Sequence, residues 1–437
     1  MGLTRWLGRR AAEADVPLLV VVGAGGRSVA DEVALLPGVR VVDSPRAATV
    51  LLVVGRVTPA LLGPLLQVHD QLPVPRATVW WPVDGDGGEA LRAALPNLVV
   101  AGAGDDPGLR ALFAELLRGA RSSDPAALPD VDPAEWRGVG PYGQGGTGMT
   151  GGVPYGRPLA ARAPDSDGLE LDQLPLHVGP LFPPFPPGLV LDIQLQGDVI
   201  REVAIGDNPY VVGGSNSPEA LDTAVFVEAL GAPQPVATLE LARARHHLRW
   251  AAGALRLHGL EDDGVRLLRL ARSLAPEDRP EVDAVVRRLG RRRSLSWATR
   301  GVGVVAAEHA PPGPVARAAG VAADARVDDP AYRGLEVSAV VHEDGDAHAR
   351  LYQRLSEATQ ALDIAERAGS RVRQPGPPLE GPRGPLVAGE SHPSVALLEL
   401  LPRLLVGQEW GDAMTAVASL DVDVEEAALS PREATPA

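Results

Sequence analysis

The chain has 437 residues, 45% of them hydrophobic and 22% charged, with a formal net charge of -15, so it reads as an acidic globular protein of two or three domains. That charge argues against nucleic acid as a partner, because phosphate binding needs a basic face. Cysteine is absent and every basic residue is an arginine, which excludes disulfides, thiolate nucleophiles, zinc ribbons, cysteine-held iron–sulfur clusters, Schiff-base lysines and lysine-dependent phosphate loops.

The first ~120 residues alternate short β-branched runs with helical patterns, as a doubly wound, flavodoxin-like α/β sheet does. Pro17–Val22 reads as a buried strand, followed by the turn Gly23–Gly26 and a helix to about Leu36. Strands are expected at Val39–Val42, Thr49–Val54, Ala77–Trp81 and Leu98–Ala101. Helices are expected at Pro59–His69, with Leu61, Leu62, Leu65 and Leu66 inward, near Glu89–Ala94, and at Pro107–Arg118. The glycine turn has the strand–turn–helix context of a dinucleotide site, but Ser28 stands where the third fingerprint glycine belongs, so a tight turn is the favoured reading.

Arg121–Gly140, rich in Pro, Asp and Ser, reads as a linker. Gly140–Pro158 follows with eight glycines. It lacks the lysine and the strand–turn–helix setting of a phosphate loop, and is expected to be a backbone-tight seam at the interface of the two halves. Leu189–Ile205 alternates about Gln196-Gly197-Asp198, a hairpin signal. Ala237–His258, Gly264–Leu274, Glu281–Leu289 and Asp346–Arg367 carry Leu and Ala at helical spacing and should form one bundle against the hairpin. No run approaches the ~18 apolar residues of a membrane span, and Met1–Arg10 is not followed by the apolar region of a secretory signal.

Two stretches carry a family resemblance. Ala48–Pro75 (ATVLLVVGRVTPALLGPLLQVHDQLPVP) resembles the small, cluster-bearing subunit of respiratory complex I and of membrane-bound nickel–iron hydrogenases. VPYGRPLAARAPDSDGLELDQLPLHVGP, followed by LVLDIQLQGDVI, resembles the hydrogenase-like large subunit of the same assemblies. Gly313–Asp329, the helix Gly345–Glu366 and the EGPRG turn Glu380–Gly384 add to the second. The resemblance implies a fusion of two normally separate subunits: a small-subunit-like α/β domain at 1–120, a linker at 121–140, a large-subunit-like α+β domain of hairpin plus helical bundle at 141–429, and a tail at 430–437.

It also implies a degenerate site. On the small-subunit side the cluster-holding turns correspond to Ala24-Gly25-Gly26-Arg27, a stretch near Trp81–Gly88, and Gly102-Ala103-Gly104, which places Ala24, Arg27 and Ala103 at vacated positions. On the large-subunit side Ser419–Glu426 (SLDVDVEE) aligns with the terminal metal motif and puts Asp423 and Glu426 where thiolates would stand. Carboxylates suit a hard cation rather than nickel and iron, and the simplest expectation is a solvated acidic end. The loop Gly179–Gly188 keeps the frame of the quinone loop but carries Phe182, whose ring donates no hydrogen bond or proton. Tyr142, Tyr155, His177, Phe182 and Arg383 are the cleft candidates, with Arg383 expected to pair with Asp421, Asp423, Asp167 or Asp172. His246, His247 and His258 are set aside as metal ligands, because adjacent helical residues face different ways.

The expectation is therefore a subunit with no catalytic residue, no metal and no cofactor, peripheral on the inner face of the cell membrane, with membrane-embedded antiporter-like or proton-channel-like partners. The alternative is an oxidoreductase-type subunit that binds quinone or NAD(H) at the former cleft.

Overall fold

The computed structural model describes residues 13–83, 88–130, 160–165, 168–211, 221–376 and 378–429. The glycine stretch Gly140–Pro158, with Tyr142 and Tyr155, lies outside the described residues, as does Asp167.

The amino-terminal unit is a five-stranded sheet of β1 (Val16–Val22), β2 (Val39–Val41), β3 (Val50–Val54), β4 (Ala77–Trp81) and β5 (Val99–Val100). Its order is β2-β1-β3-β4-β5 and every pairing is parallel. That is the flavodoxin-like order, with helices on both faces. Because both faces are covered, β3 and β4 are continuous buried runs rather than alternating ones. Val50, Leu52 and Val54 point into one core with α4 (Asp106–Arg118), and Leu51 and Val53 point into the other with α2 (Pro59–Gln71). The intervening α1 (Arg27–Val33) and α3 (Glu89–Ala94) complete the layers.

The start of the expected linker is laid against this sheet. The buried Asp124 accepts from the Thr78 amide at 2.8 Å, and Asp70 accepts from the Ala127 and Leu128 amides at 2.8 and 2.9 Å. Side-chain oxygens thus satisfy the Thr78 amide, which precedes the β4–β5 pairing, and two amides of a segment outside the sheet.

The second half begins with an antiparallel sheet, β6 (Arg162–Pro164), β7 (Glu170–Val178), β8 (Leu191–Gln196) and β9 (Val199–Ile205), in that order. The hairpin β8–β9 turns at Gly197, which has φ +64°. After α5 (Ala224–Gly231) come the long α6 (Val236–Leu257), then α7 (Glu261–Arg272), α8 (Arg279–Leu289), α9 (Arg293–Thr299) and α10 (Pro314–Ala318). The 22-residue α11 (Ala347–Ala368) lies along α6, with Leu351, Leu355 and Leu362 buried against Leu248, Leu255, Leu267 and Val282. The chain closes with α12 (Pro393–Leu405), α13 (Trp410–Leu420) and α14 (Val424–Ala428).

The expected bundle forms, but the hairpin does not pack on it. Leu191, Ile193, Leu195 and Ile200 join Leu397, Leu401 and Leu405 of α12 and the second face of the amino-terminal sheet in one continuous core. The reason is supply of apolar surface: α12 and α13 carry an unpaired leucine-rich face that covers the hairpin, while α6, α7, α8 and α11 satisfy each other. No helix among the described residues is long and apolar enough to cross a membrane.

Candidate functional site

The site lies where the turn after β1 meets the segment between α13 and α14. Gly23 and Gly26 are dictated by close approach, since a Cβ at either would collide with the carbonyl of Arg56 or of Val54. Ala24 is buried and exchanges two backbone hydrogen bonds with Arg56, both 2.8 Å. The turn is thereby locked, with the Gly25 amide and the Arg27 side chain aimed at the carboxyl-terminal segment.

The Gly25 amide donates to both carboxylate oxygens of Glu425, at 2.9 and 3.0 Å, across 400 residues of sequence. Beside it, Arg27 donates to Asp423 at 3.0 Å and to Asp421 at 3.4 Å. The two turns that the resemblance marks as vacated therefore touch, and a carboxylate–guanidinium clasp fills the space between them.

Arg383, buried in the EGPRG turn, sits at the centre. It pairs with Asp423 at 3.1 Å, with both oxygens of Asp222 at 3.3 Å, with Asp421 at 3.5 Å and with Glu426 at 3.6 Å, and its Nε donates to the Asp421 carbonyl oxygen at 3.1 Å. Of its expected partners, Asp421 and Asp423 are present. Asp172 instead pairs with Arg162 on an exposed strand, at 3.1 Å. His246 adds a further partner, with Nε2 2.6 Å from Asp421 and Nδ1 3.1 Å from Asp222. Arg354 is 3.7 Å from Asp421.

The acidic end is thus not solvated as the sequence suggested: Asp421, Asp423 and Glu426 are all buried. Burial of charge is tolerated because each carboxylate is paired and hydrogen-bonded. Asp423 also caps α14, its Oδ1 accepting from the Glu425 and Glu426 amides at 3.0 and 3.1 Å. Ser394 at the start of α12 donates to Glu426 and accepts from the Asp423 amide at 3.2 Å. Asp421 holds a left-handed φ of +60°, a conformation that aspartate tolerates better than most residues. This turn aims its carboxylate back at His246 and Arg354.

These contacts split the acids into two electrostatic classes. Burial opposes the charge on Asp421 and Asp222, but Arg383 and His246 outweigh it and hold both well below the usual carboxylate range. Burial also opposes a charged His246, yet Asp421 and Asp222 raise its affinity for a proton. Glu425 behaves oppositely: burial pushes it up to about 7, with the Gly25 amide counteracting and Asp423 adding to the rise. Glu426 is raised too, by burial against the pull of Arg383.

A cavity of about 290 Å³ opens beside the clasp. Its walls include Arg27 and Asp31 of α1, Phe182 and Phe185 of the loop after β7, His246 and Trp250 of α6, and Asp222. Phe182 and Phe185 meet edge to face at 5.1 Å and both pack near Trp410. Burial pushes Asp31 up to about 6, with Arg27 and Arg249 opposing the rise.

Among the sequence candidates, the structure brings together Ala24, Arg27, Arg383, Asp423 and Glu426, with Phe182 at the cavity wall. His177 does not join them: its ring is paired with Asp192 at 2.7 Å, and both side chains are more than half exposed on the sheet. The strand alternation that precedes the proline loop turns it outward. Ala103 is exposed in the loop after β5. Asp222, His246, Glu425 and Ser394 were missed. His246 did carry a signal, since His246 and His247 on adjacent helix positions must face different surroundings, and His247 indeed faces Glu357 at 3.3 Å.

These residues do not fit an iron–sulfur cluster or a nickel–iron centre. The chain has no cysteine, two guanidinium groups stand between the turns, and the carboxylate lone pairs are engaged by arginines and amides. No group of three or more His, Asp or Glu side chains among the described residues is placed to hold a metal ion.

Residues 242–383 match the family model of the respiratory-chain NADH dehydrogenase 49 kDa subunit. The large-subunit half of the resemblance is supported by this match, and Arg383 is its last residue. Over 128 residues the chain is 36% identical to the second D-type subunit of NADH-quinone oxidoreductase from Salinispora tropica, and equally to that from Salinispora arenicola. Each of these alignments covers 26% of this chain and 32% of the relative. The first D-type subunit of the same enzyme from Streptomyces coelicolor is 39% identical over 104 residues, which is 22% of this chain and 27% of the relative. The matched stretch thus spans about a third of the length of these curated relatives. A chain of the membrane-bound sulfane sulfur reductase, an archaeal respiratory membrane complex, is similar with a TM-score of 0.45 and 20% identity over 58% of this chain and 98% of that one.

Proposed function

We propose that this chain is a subunit of a complex I-like, membrane-associated assembly in which small- and large-subunit frames are fused and their interface works without a redox group. The carrying observation is the clasp, in which Arg27 binds Asp423 and the Gly25 amide binds Glu425. Both turns belong to the positions the resemblance assigns to cofactor ligands. Where relatives of this frame would pass electrons, this chain has a buried ionic joint, so its role is to hold or couple rather than to oxidise. Its partners in this reading are membrane-embedded antiporter-like or proton-channel-like subunits, and the chain sits on the inner face of the membrane.

The test is purification of the tagged chain from native membranes in mild detergent, with iron and nickel assayed on the product. Co-purification with membrane-embedded polypeptides and no stoichiometric metal is expected. Stoichiometric iron, or recovery of the chain alone, overturns the reading.

The cavity favours a second reading, in which the chain binds a quinone or a nicotinamide nucleotide there. Its aromatic and arginine-bearing walls, at about 290 Å³, suit a flat ring with a polar edge. Titration of a soluble quinone and of NADH, followed by calorimetry, tests it. Saturable heat that is lost in Arg27→Ala supports it, and no heat from either ligand removes it.

A further inference from the structure

We propose that the corner made by the end of α8 and by α9 is a docking surface for an anionic lipid bilayer; this deepens the membrane-associated reading and rests on it. Trp297 of α9 is 89% exposed, and Val304, just past the helix, is 56% exposed. On the same two helices and the turn between them Arg287, Arg291 and Arg293 are exposed and have no carboxylate partner among the described residues, and the exposed Arg300 guanidinium donates to the Ser296 hydroxyl at 2.7 Å. Their neighbours behave differently: Arg288 and Arg292 both engage Asp263, and Arg279 engages Asp283.

Helix electrostatics does not account for the pattern. Arg287 in the last turn of α8 complements the helix dipole, but Arg291 lies beyond that helix and Arg293 opens α9, where a cation is disfavoured. In a chain of net charge -15, a corner of unpaired arginines and an exposed indole is a local inversion of sign. Charge complementarity therefore selects an anionic occupant. An indole seated at headgroup depth with arginines against lipid phosphates is the arrangement that bilayer interfaces favour. A protein partner needs roughly 800 Å² from each side with an apolar centre, which one tryptophan and one valine do not supply. Single-stranded nucleic acid needs a groove with successive stacking platforms.

The experiment is co-sedimentation of the full chain with vesicles of phosphatidylcholine alone and of phosphatidylcholine mixed with phosphatidylglycerol. Binding to the anionic vesicles only is expected, weakening as salt rises. Arg291→Ala/Arg293→Ala should lower the partition by about 10-fold or more, and Trp297→Ala should lower it several-fold, with circular dichroism unchanged in both. Equal binding to both vesicle types, no binding, unchanged binding by the variants, or tighter binding to homopolymeric RNA each overturns the proposal. Capture of membrane-embedded polypeptides in detergent separates it from the reading beneath it. If wild type captures them but ignores anionic vesicles, only the docking surface fails. If wild type captures none, the assembly reading fails whatever the vesicles show. Loss of capture in Trp297→Ala with vesicle binding intact assigns the corner to a protein contact and overturns the lipid surface.

Discussion

Two buried ionic networks lie about one long helix, and they are built on different terms. Within the bundle, Arg317 pairs with Glu357 and Glu380 at 2.7 Å each, while Arg326 pairs with Asp324 at 2.7 Å and Glu240 at 2.8 Å. All of these residues lie between positions 240 and 380, so the network closes within one half of the chain. Glu357 is opposed by burial but held well below its usual range by Arg317 and by the His247 contact. The clasp instead joins residues up to 400 apart, and it gathers Asp222, Asp421, Asp423, Glu425 and Glu426 around Arg27, Arg383, Arg354 and His246. One network fixes a fold within its half; the other fixes one half upon the other. Burial raises Glu425 and Glu426, whereas Arg317 and the His247 contact overcome burial at Glu357.

The largest effects are expected at the two central arginines. Arg383→Ala removes the arginine shared by Asp222, Asp421, Asp423 and Glu426, and Arg317→Ala removes the one shared by Glu357 and Glu380, each costing about 3–5 kcal/mol. Urea unfolding followed by fluorescence checks both. If the networks differ as described, Arg317→Ala unfolds the bundle outright, whereas Arg383→Ala separates the halves first and gives a two-step curve.

Arg27→Ala is the gentler probe. Its side chain is 24% exposed, so water replaces part of what is lost and the expected cost is about 2 kcal/mol. Hydrogen exchange should quicken at Gly25 and Glu425 while the α6–α11 contact stays protected. Uniform protection loss would mean that the clasp and the bundle are one cooperative unit.

The smallest effect is the most specific. The folded carboxyl of Glu425 is raised to about 7 from an ordinary 4.5, so the folded state binds the proton more tightly than the unfolded one. Its contribution to stability is therefore present in acid and lost as pH rises from about 4.5 to about 7. Asp31, raised to about 6, acts in the same direction. Asp421 and Asp222, held low, act oppositely and only below the ordinary carboxylate range. His247, pushed down to about 3 by burial, opposes Glu425 and Asp31 over the same window, so the carboxyl is read as a difference: Glu425→Gln should raise the thermal midpoint by a few degrees at pH 8 and by less at pH 5.5, changing its slope with pH. An unchanged slope in Glu425→Gln would place the proton elsewhere.

Much of the scaffold was legible because it rests on local periodicity. The five parallel strands, the hairpin at Gly197 and the helices at 236–257 and 347–368 follow from β-branched runs, a turn signal and leucine spacing. The EGPRG turn singled out Arg383, and two of its carboxylate partners were named. Asp222 was not, because nothing local distinguishes it from any other aspartate beside a helix start. His177 misled for the converse reason: proximity in sequence to the Phe182 loop says nothing about which face of β7 a side chain takes.

The sequence by itself determined the absence of thiol and lysine chemistry, the two-part architecture and the composition of the SLDVDVEE segment, since these depend on residue identity and short-range pattern. Only the tertiary structure decided that this acidic segment is buried. A carboxylate's fate depends on what stands opposite it, and here that is Arg27, nearly four hundred residues away, together with Arg383 and His246. Charge can be read from a sequence, whereas its neutralisation is a property of the packed chain.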